Sequence, residues 1–285
     1  MLKLAGLVSL AMVAFAANSV LARLALGAPG AEPMGYTGLR LLSGAAALYL
    51  LLILRNRKAA PVAGSWRAAG ALFAYAIFFS VAYLLLGAAT GALILFASVQ
   101  IGIIGWAVLQ GDRPGLAEWG GLALALAGLA YLVSPGLVAP DPLGAALMAI
   151  AGLAWAAYTL LGRGSSSPLA DTAGNFVRTA PVAALLIGAG TMTAPMSPAV
   201  AAYAVMSGVV ASGLGYAIWY AALPHLPRVR AAVVQLTVPV IAAVGGVILI
   251  AEPLSWRLVI ASAAILGGVA IALLASERRR RAASA

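Results

Sequence analysis

The chain has 285 residues, 64% of them hydrophobic and 8% charged, with a mean hydropathy of +1.06. So few charges cannot cover a water-soluble domain of this size, and the composition is that of an all-α polytopic membrane protein. The formal charge is +10; cysteine is absent, which excludes disulfides and thiolate chemistry, and the lone histidine, His225, cannot build a metal site.

Apolar stretches near the roughly 20 residues that a spanning helix needs predict ten helices. They cover 4–22, 35–54, 68–87, 91–110, 116–134, 143–162, 174–193, 200–222, 230–250 and 257–275. Helix 1 contains AFAANSVLAR (14–23), which looks like the end of a cleavable leader: Lys3 precedes it, and Val20-Leu21-Ala22 passes for a cleavage site. AWAAYTLLGR recurs 140 residues later, at 154–163. A leader has no reason to recur within its own mature chain, so helix 1 is expected to be retained.

Helix 1 offers Asn18 and Ser19 as polar groups, and helix 2 carries Arg40. The break RNRKAAPVAGSWR is too polar for hydrocarbon. Helix 3 sets Tyr75, Phe79 and Tyr83 four apart, hence on one face. Helix 4 holds Gln100 near its middle. GDRPG and SPGLVAPDP are turn signals around helix 5. Helix 6 brings Trp155, Tyr158 and Thr159, and helix 7 Arg178 and Pro181. Helix 8 has Tyr216, Trp219 and Tyr220 on one face; helix 9 has Gln235 and Pro239. Gly87 and Gly91, Gly245-Gly246 and Gly267-Gly268 are expected at close helix crossings.

Of the seventeen basic residues, thirteen fall on the side of the N-terminus: Lys3, Arg55, Arg57, Lys58, Arg67, Arg113, Arg163, Arg228, Arg230 and Arg278 to Arg281. Arg23 and Arg257 fall on the other side. This bias predicts cytoplasmic termini and explains the net charge as membrane orientation, with RRRR anchoring to lipid heads and no nucleic-acid partner.

The 140-residue correspondence continues: Ile101 with Ile241, Asp112 with Glu252, Gly128 with Gly268. Near helices 2 and 7 it becomes 138 and pairs Arg40 with Arg178. Five helices per half is an odd number, so the second half must enter the membrane from the opposite side. The expected architecture is two inverted five-helix repeats, 1–136 and 137–276, followed by a basic cytoplasmic tail, 277–285. Such repeats suit alternating access.

At this point the chain resembles a known family. Arg40 in YTGLRLLSG, the run QLTVPVIAAVGGVILIAEPLSW (235–256) and the helix AAILGGVAIAL resemble the drug/metabolite transporter superfamily in its ten-helix EamA-like branch. The subtype most similar is that of YddG-like exporters of aromatic and other neutral amino acids. The resemblance implies a secondary transporter in the inner membrane of a bacterial cell, acting as a monomer on small-molecule substrates, with no enzymatic activity, catalytic residue, cofactor or metal.

An amino-acid zwitterion needs polar groups near the midplane and a surface for its side chain. The expected contacts are Gln100, Trp155, Tyr158, Asn18, Tyr75, Phe79, Tyr83, Tyr216, Trp219 and Gln235. The alternative for the amides is bonding to neighbouring helices, and for the aromatics packing or interface anchoring. Arg40 and Arg178 either snorkel or pair, with Glu32 and Asp171 respectively, or serve as a gate or carboxylate contact. Pro239 and Pro181 are candidate hinges. The acidic residues all fall in loops or at helix ends, which argues against proton coupling, and no P-loop is present. The alternatives are a carrier of other metabolites or drugs, a channel, and a structural membrane protein.

Overall fold

The structure, a computed structural model, describes every residue except 1, 29, 57–62, 112, 135–138, 164, 227–233 and 284–285; at 2, 56, 220, 224, 280 and 283 it describes the backbone alone. Arg57, Lys58, Asp112, Arg228, Arg230 and the Tyr220 side chain thus lie outside the described residues.

The helices are α1 (Leu2–Leu26), α2 (Pro33–Asn56), α3 (Trp66–Leu85), α4 (Ala88–Leu109), α5 (Leu116–Val133), α6 (Pro142–Leu161) and α7 (Pro168–Thr193). α8 follows as a rod over 198–222, then α9 (Thr237–Ile250) and α10 (Trp256–Ala283). Among the described residues there is no strand, and nine helices are long and apolar enough to span a membrane; α9, with 14 residues, is shorter. The protein is a multi-pass membrane protein.

The helix starts share a chemistry. Proline begins α2, α6, α7 and α8, where its missing N–H costs no intrahelical bond. The residue before it is Glu32, Asp141, Ser167 or Ser197. The Asp141 side chain accepts from Gly144 N at 2.7 Å, and Glu32 accepts from Met34 N and Gly35 N at 2.8 and 2.6 Å. These oxygens occupy first-turn amides that have no partner within the helix.

Several boundaries differ from the sequence reading. α7 starts at Pro168, six residues early, which lifts Asp171 and Thr172 into its first turn. α10 runs through Ala283, so the expected tail is helical that far, with Arg279 paired to Glu118 on α5 at 2.6 Å. α8 is α-helical over Pro198–Met206, a π-helix over Ser207–Leu214 and α-helical again over Gly215–Ala222. Pro239 is the third residue of α9. Residues 234–235 are also helical, with a turn at Leu236, so the helix is already interrupted three residues before Pro239.

The helices pack in a pattern that repeats with exchange of halves. α2 packs on α7 and α5 on α10; α3 and α4 pack on α6, as α8 and α9 pack on α1. Adding five to each first-half number maps every pair onto itself or another. We call the side where α1 begins the near face and the opposite side the far face.

Close approach depends on glycine at two crossings. A Cβ on Gly121 would lie 2.5 Å from Gly268 O, and one on Gly268 would lie 2.5 Å from Gly121 O, so α5 and α10 touch backbone to backbone. A Cβ on Gly208, in the π segment, would meet Arg40 O at 2.3 Å and Gly44 N at 2.9 Å. Gly208→Ala must therefore push α8 off α2. It is expected to cost about 1–3 kcal/mol, read as a lower thermal unfolding midpoint in detergent; an unchanged midpoint would contradict this packing. Of the other expected glycines, Gly87 and Gly246 make room for the Glu252 carboxylate and Gly91 for the Tyr83 ring, while Gly267 faces open space.

Candidate functional site

A cavity of about 130 Å³ lies between the halves. That is slightly less than an apolar cavity of about 150 Å³, which takes a single benzene ring. Its lining is composite. Phe15, Asn18 and Ser19 come from α1, Tyr75 and Phe79 from α3, and Leu95 and Phe96 from α4. The second half gives Trp155, Tyr158 and Thr159 of α6, Asp171, Thr172 and Asn175 of α7, Tyr216 and Trp219 of α8, and Gln235 before α9.

Much of this lining is related by the internal repeat. Phe15 and Trp155, Asn18 and Tyr158, Ser19 and Thr159, Phe79 and Trp219, and Leu95 and Gln235 each stand 140 residues apart; Tyr75 and Tyr216 stand 141 apart. The asymmetric part is at the near face, where Gly162, Ser165, Pro168 and the first turns of α7 complete the wall. Thr159 and Gly162 are exposed, so the cavity opens on the near face.

Aromatic rings form a continuous network along the wall. Trp155 is its centre, with ring centroids 4.7 Å from Tyr75, 5.2 Å from Tyr158 and 5.4 Å from Tyr216, the last pair stacked at 23°. Tyr75 continues to Phe79 at 5.3 Å and Phe79 to Tyr83 at 4.7 Å; Phe15 touches Tyr216 and Trp219 at 5.7 and 6.0 Å. Polar groups punctuate it. Asn18 Oδ1 accepts from the Ser207 hydroxyl at 2.7 Å, and the Tyr158 hydroxyl donates to Thr172 Oγ1 at 3.5 Å. An apolar surface with a few placed polar groups is the usual make-up of a small-molecule site.

The far face is sealed. Glu252 Oε1 lies 3.3 Å from Arg23 Nε, and both carboxylate oxygens accept from Ala88 N, the first amide of α4, at 2.9 Å. Arg23 Nη1 donates to Tyr83 O at 3.3 Å. Ala251 turns the chain to make this possible. It sits in the left-handed region, φ 55°, unusual for a residue with a side chain, and aims Glu252 back at the positive end of α4.

The expected residues sort as follows. Trp155, Tyr158, Asn18, Tyr75, Phe79, Tyr216, Trp219 and Gln235 line the cavity. Tyr83 does not: it is fully buried below Phe79, its hydroxyl 3.4 Å from Ala88 O. Gln100 is buried, 5% exposed, but α4 presents Leu95 and Phe96 to the cavity instead. Arg178 holds the loop before α3, donating to Ala63 O and, at 3.0 Å, to Gly174 O, with its guanidinium 5.9 Å from the Trp66 ring centroid. It does not pair with Asp171, which accepts from Gly64 N at 2.9 Å and from the Ser165 hydroxyl. Arg40 neither snorkels nor pairs with Glu32; it is 2% exposed, beneath the Tyr75 and Phe79 rings.

The sequence reading missed Asp171, Thr172 and Asn175 as lining residues. The signal was present: three serines before Pro168 mark a helix start. Phe15 was also legible, as the repeat partner of Trp155.

Residues 142–274 match the EamA-like transporter family. The uncharacterized protein PA1977 of Pseudomonas aeruginosa is 51% identical over 274 residues, 96% of this chain and 95% of its own. The uncharacterized transporter YwfM of Bacillus subtilis is 28% identical over 271 residues, 92% and 90% of the two chains. A solved crystal structure superposes with a TM-score of 0.65 at 22% identity over 95% of this chain and 97% of that one, a likeness of fold.

Proposed function

This chain belongs to the EamA-like transporter family, and from that premise we propose that it carries aromatic and other neutral amino acids across the bacterial inner membrane by alternating access, as YddG-like exporters do. The observation that carries this reading is the cavity's composite wall. Repeat-related rings and polar groups from both halves meet around one space that opens on the near face. A zwitterion cannot cross about 30 Å of hydrocarbon unaided, and aromatic walls with interspersed amides suit an apolar side chain on a polar backbone.

The excess of basic residues on the near face supports a cytoplasmic location for that face and both termini. The cavity is then open inward, with Arg23 and Glu252 as the outer seal. Two inverted five-helix halves rocking about the site would exchange which face is open; Pro181, inside α7, is where that helix can flex. Asp171 is the acidic side chain in the wall, and its oxygens are engaged by Gly64 N and Ser165. This supports carriage without obligatory proton coupling. Flow then follows the substrate gradient, outward in a cell that overproduces amino acids, and the protein works as a monomer.

The test is purified protein in liposomes against a panel of labelled amino acids. Saturable equilibration of phenylalanine, tryptophan and leucine is expected, with no accumulation under an imposed pH gradient. Accumulation abolished by a protonophore would overturn the uncoupled reading; inactivity towards the whole panel would overturn the substrate class.

A further inference from the structure

Tyr36 and Arg40 lie one turn apart on α2, hence on one face, and are 0% and 2% exposed. Arg40 Nη2 donates to Tyr75 Oη at 3.0 Å, and its Cζ lies 4.7 and 5.3 Å from the Phe79 and Tyr75 ring centroids. Its Nη1 is buried with no hydrogen-bond partner, and so is Tyr36 Oη. The neighbouring Ser207 hydroxyl donates to Asn18 Oδ1. Glu32, two turns away and just before α2, spends both oxygens on the start of that helix. Among the described residues no carboxylate pairs with Arg40.

A guanidinium inside a membrane bundle is costly unless something negative meets it. The two ring faces and one phenol offset part of that cost, but they bring no charge. A third unpartnered atom, Ser212 Oγ, lies on the π segment that packs against α2, and π turns gather at functional sites. Tyr75 and Phe79 touch Arg40 and also line the cavity. The free donors therefore stand one ring behind the cavity wall.

We propose that Arg40, with Tyr36 and Tyr75, is the receptor for a carboxylate on the substrate. The inference deepens the reading of the cavity as a substrate site and rests on it. The substrate must then carry an anionic carboxylate joined to an aromatic or apolar body, and amines that lack the carboxylate are rejected. On binding, the Tyr75 side chain gives up its bond to Arg40, and the carboxylate takes the guanidinium in a two-point contact, with Tyr36 Oη donating to the same group.

Three probes of one shape separate the possibilities: phenylalanine, 3-phenylpropionate without the amine, and 2-phenylethylamine without the carboxylate. Binding to the full-length protein in detergent is read from tryptophan fluorescence and from the unfolding midpoint, beside exchange in liposomes. The wild type should bind the first two and not the third. Arg40→Gln should weaken both about tenfold to a hundredfold, the effect of losing a charged hydrogen bond, and abolish the discrimination against 2-phenylethylamine. Tyr36→Phe, which keeps the packing, should weaken both more mildly. If the wild type exchanges phenylalanine while 2-phenylethylamine binds equally well, the inference falls and the proposed function stands. If no amino acid is exchanged but 3-phenylpropionate binds through Arg40, the proposed function falls and the inference stands.

Discussion

Trp155→Ala is expected to weaken binding of an aromatic amino acid roughly 30- to 150-fold, the equivalent of about 2–3 kcal/mol for a central aromatic anchor. Three ring neighbours, Tyr75, Tyr158 and Tyr216, converge on this indole, and all four residues line the cavity. Truncation removes the surface on which a substrate ring would stack, and leaves Tyr75 and Tyr216 without their shared partner. Trp155 is only partly buried, so the protein should still fold and insert. Trp155→Phe keeps a ring and should recover most of the affinity. The measurement is binding of labelled phenylalanine to the protein in detergent by equilibrium dialysis. Unchanged affinity in Trp155→Ala would remove this wall from the site. Gln100→Ala, by contrast, is expected to leave affinity unaltered, because Gln100 is buried off the lining.

Glu252→Gln should open the far face. The carboxylate binds Arg23 and the Ala88 amide at once, in a niche kept clear by Gly87 and Gly246. The Glu252 and Arg23 side chains are 16% and 26% exposed, so the pair is worth more than a surface ion pair and less than a fully buried one, about 1–3 kcal/mol. That shifts the balance between open states by roughly 5- to 150-fold. The chain has no cysteine, so Ser19→Cys places one thiol on the cavity wall. A membrane-impermeant thiol reagent should reach it from the near face in the wild-type background, and from both faces once Glu252→Gln is added. Labelling that stays confined to the near face would show that Glu252 is no gate.

Hydropathy and charge made the helices readable because hydrocarbon demands long apolar runs and excludes RNRK or GDRPG. Most of the cavity was also legible as polar groups and aromatic stripes: Asn18 in helix 1, Trp155 and Tyr158 in helix 6, and the rings of helices 3 and 8 at matching places in the two halves. What stayed hidden depends on helix phase and packing. α4 is apolar all round, so nothing in its pattern says which face the cavity takes; Gln100 looked like the polar contact, and Leu95 and Phe96 are the residues presented. The turn at Leu236 that separates helical residues 234–235 from α9 was not legible either. Arg40 is buried under Tyr75 and Phe79 where the π segment of α8 comes close against α2 through Gly208, and no local signal in SGVVASGL announces an extra-wide turn. Asp171 looked like a loop residue for as long as helix 7 was taken to start at 174.

Counterflow in proteoliposomes tests the central claim most directly, that this cavity carries a substrate by alternating between faces. Vesicles loaded with unlabelled phenylalanine and diluted into a trace of labelled phenylalanine should take up label transiently above equilibrium, and Trp155→Ala should lose this. A carrier must return its site to the loaded side, and it returns faster when occupied. Label that only equilibrates, at a rate linear in concentration and unaffected by Trp155→Ala, would describe a pore and contradict the account.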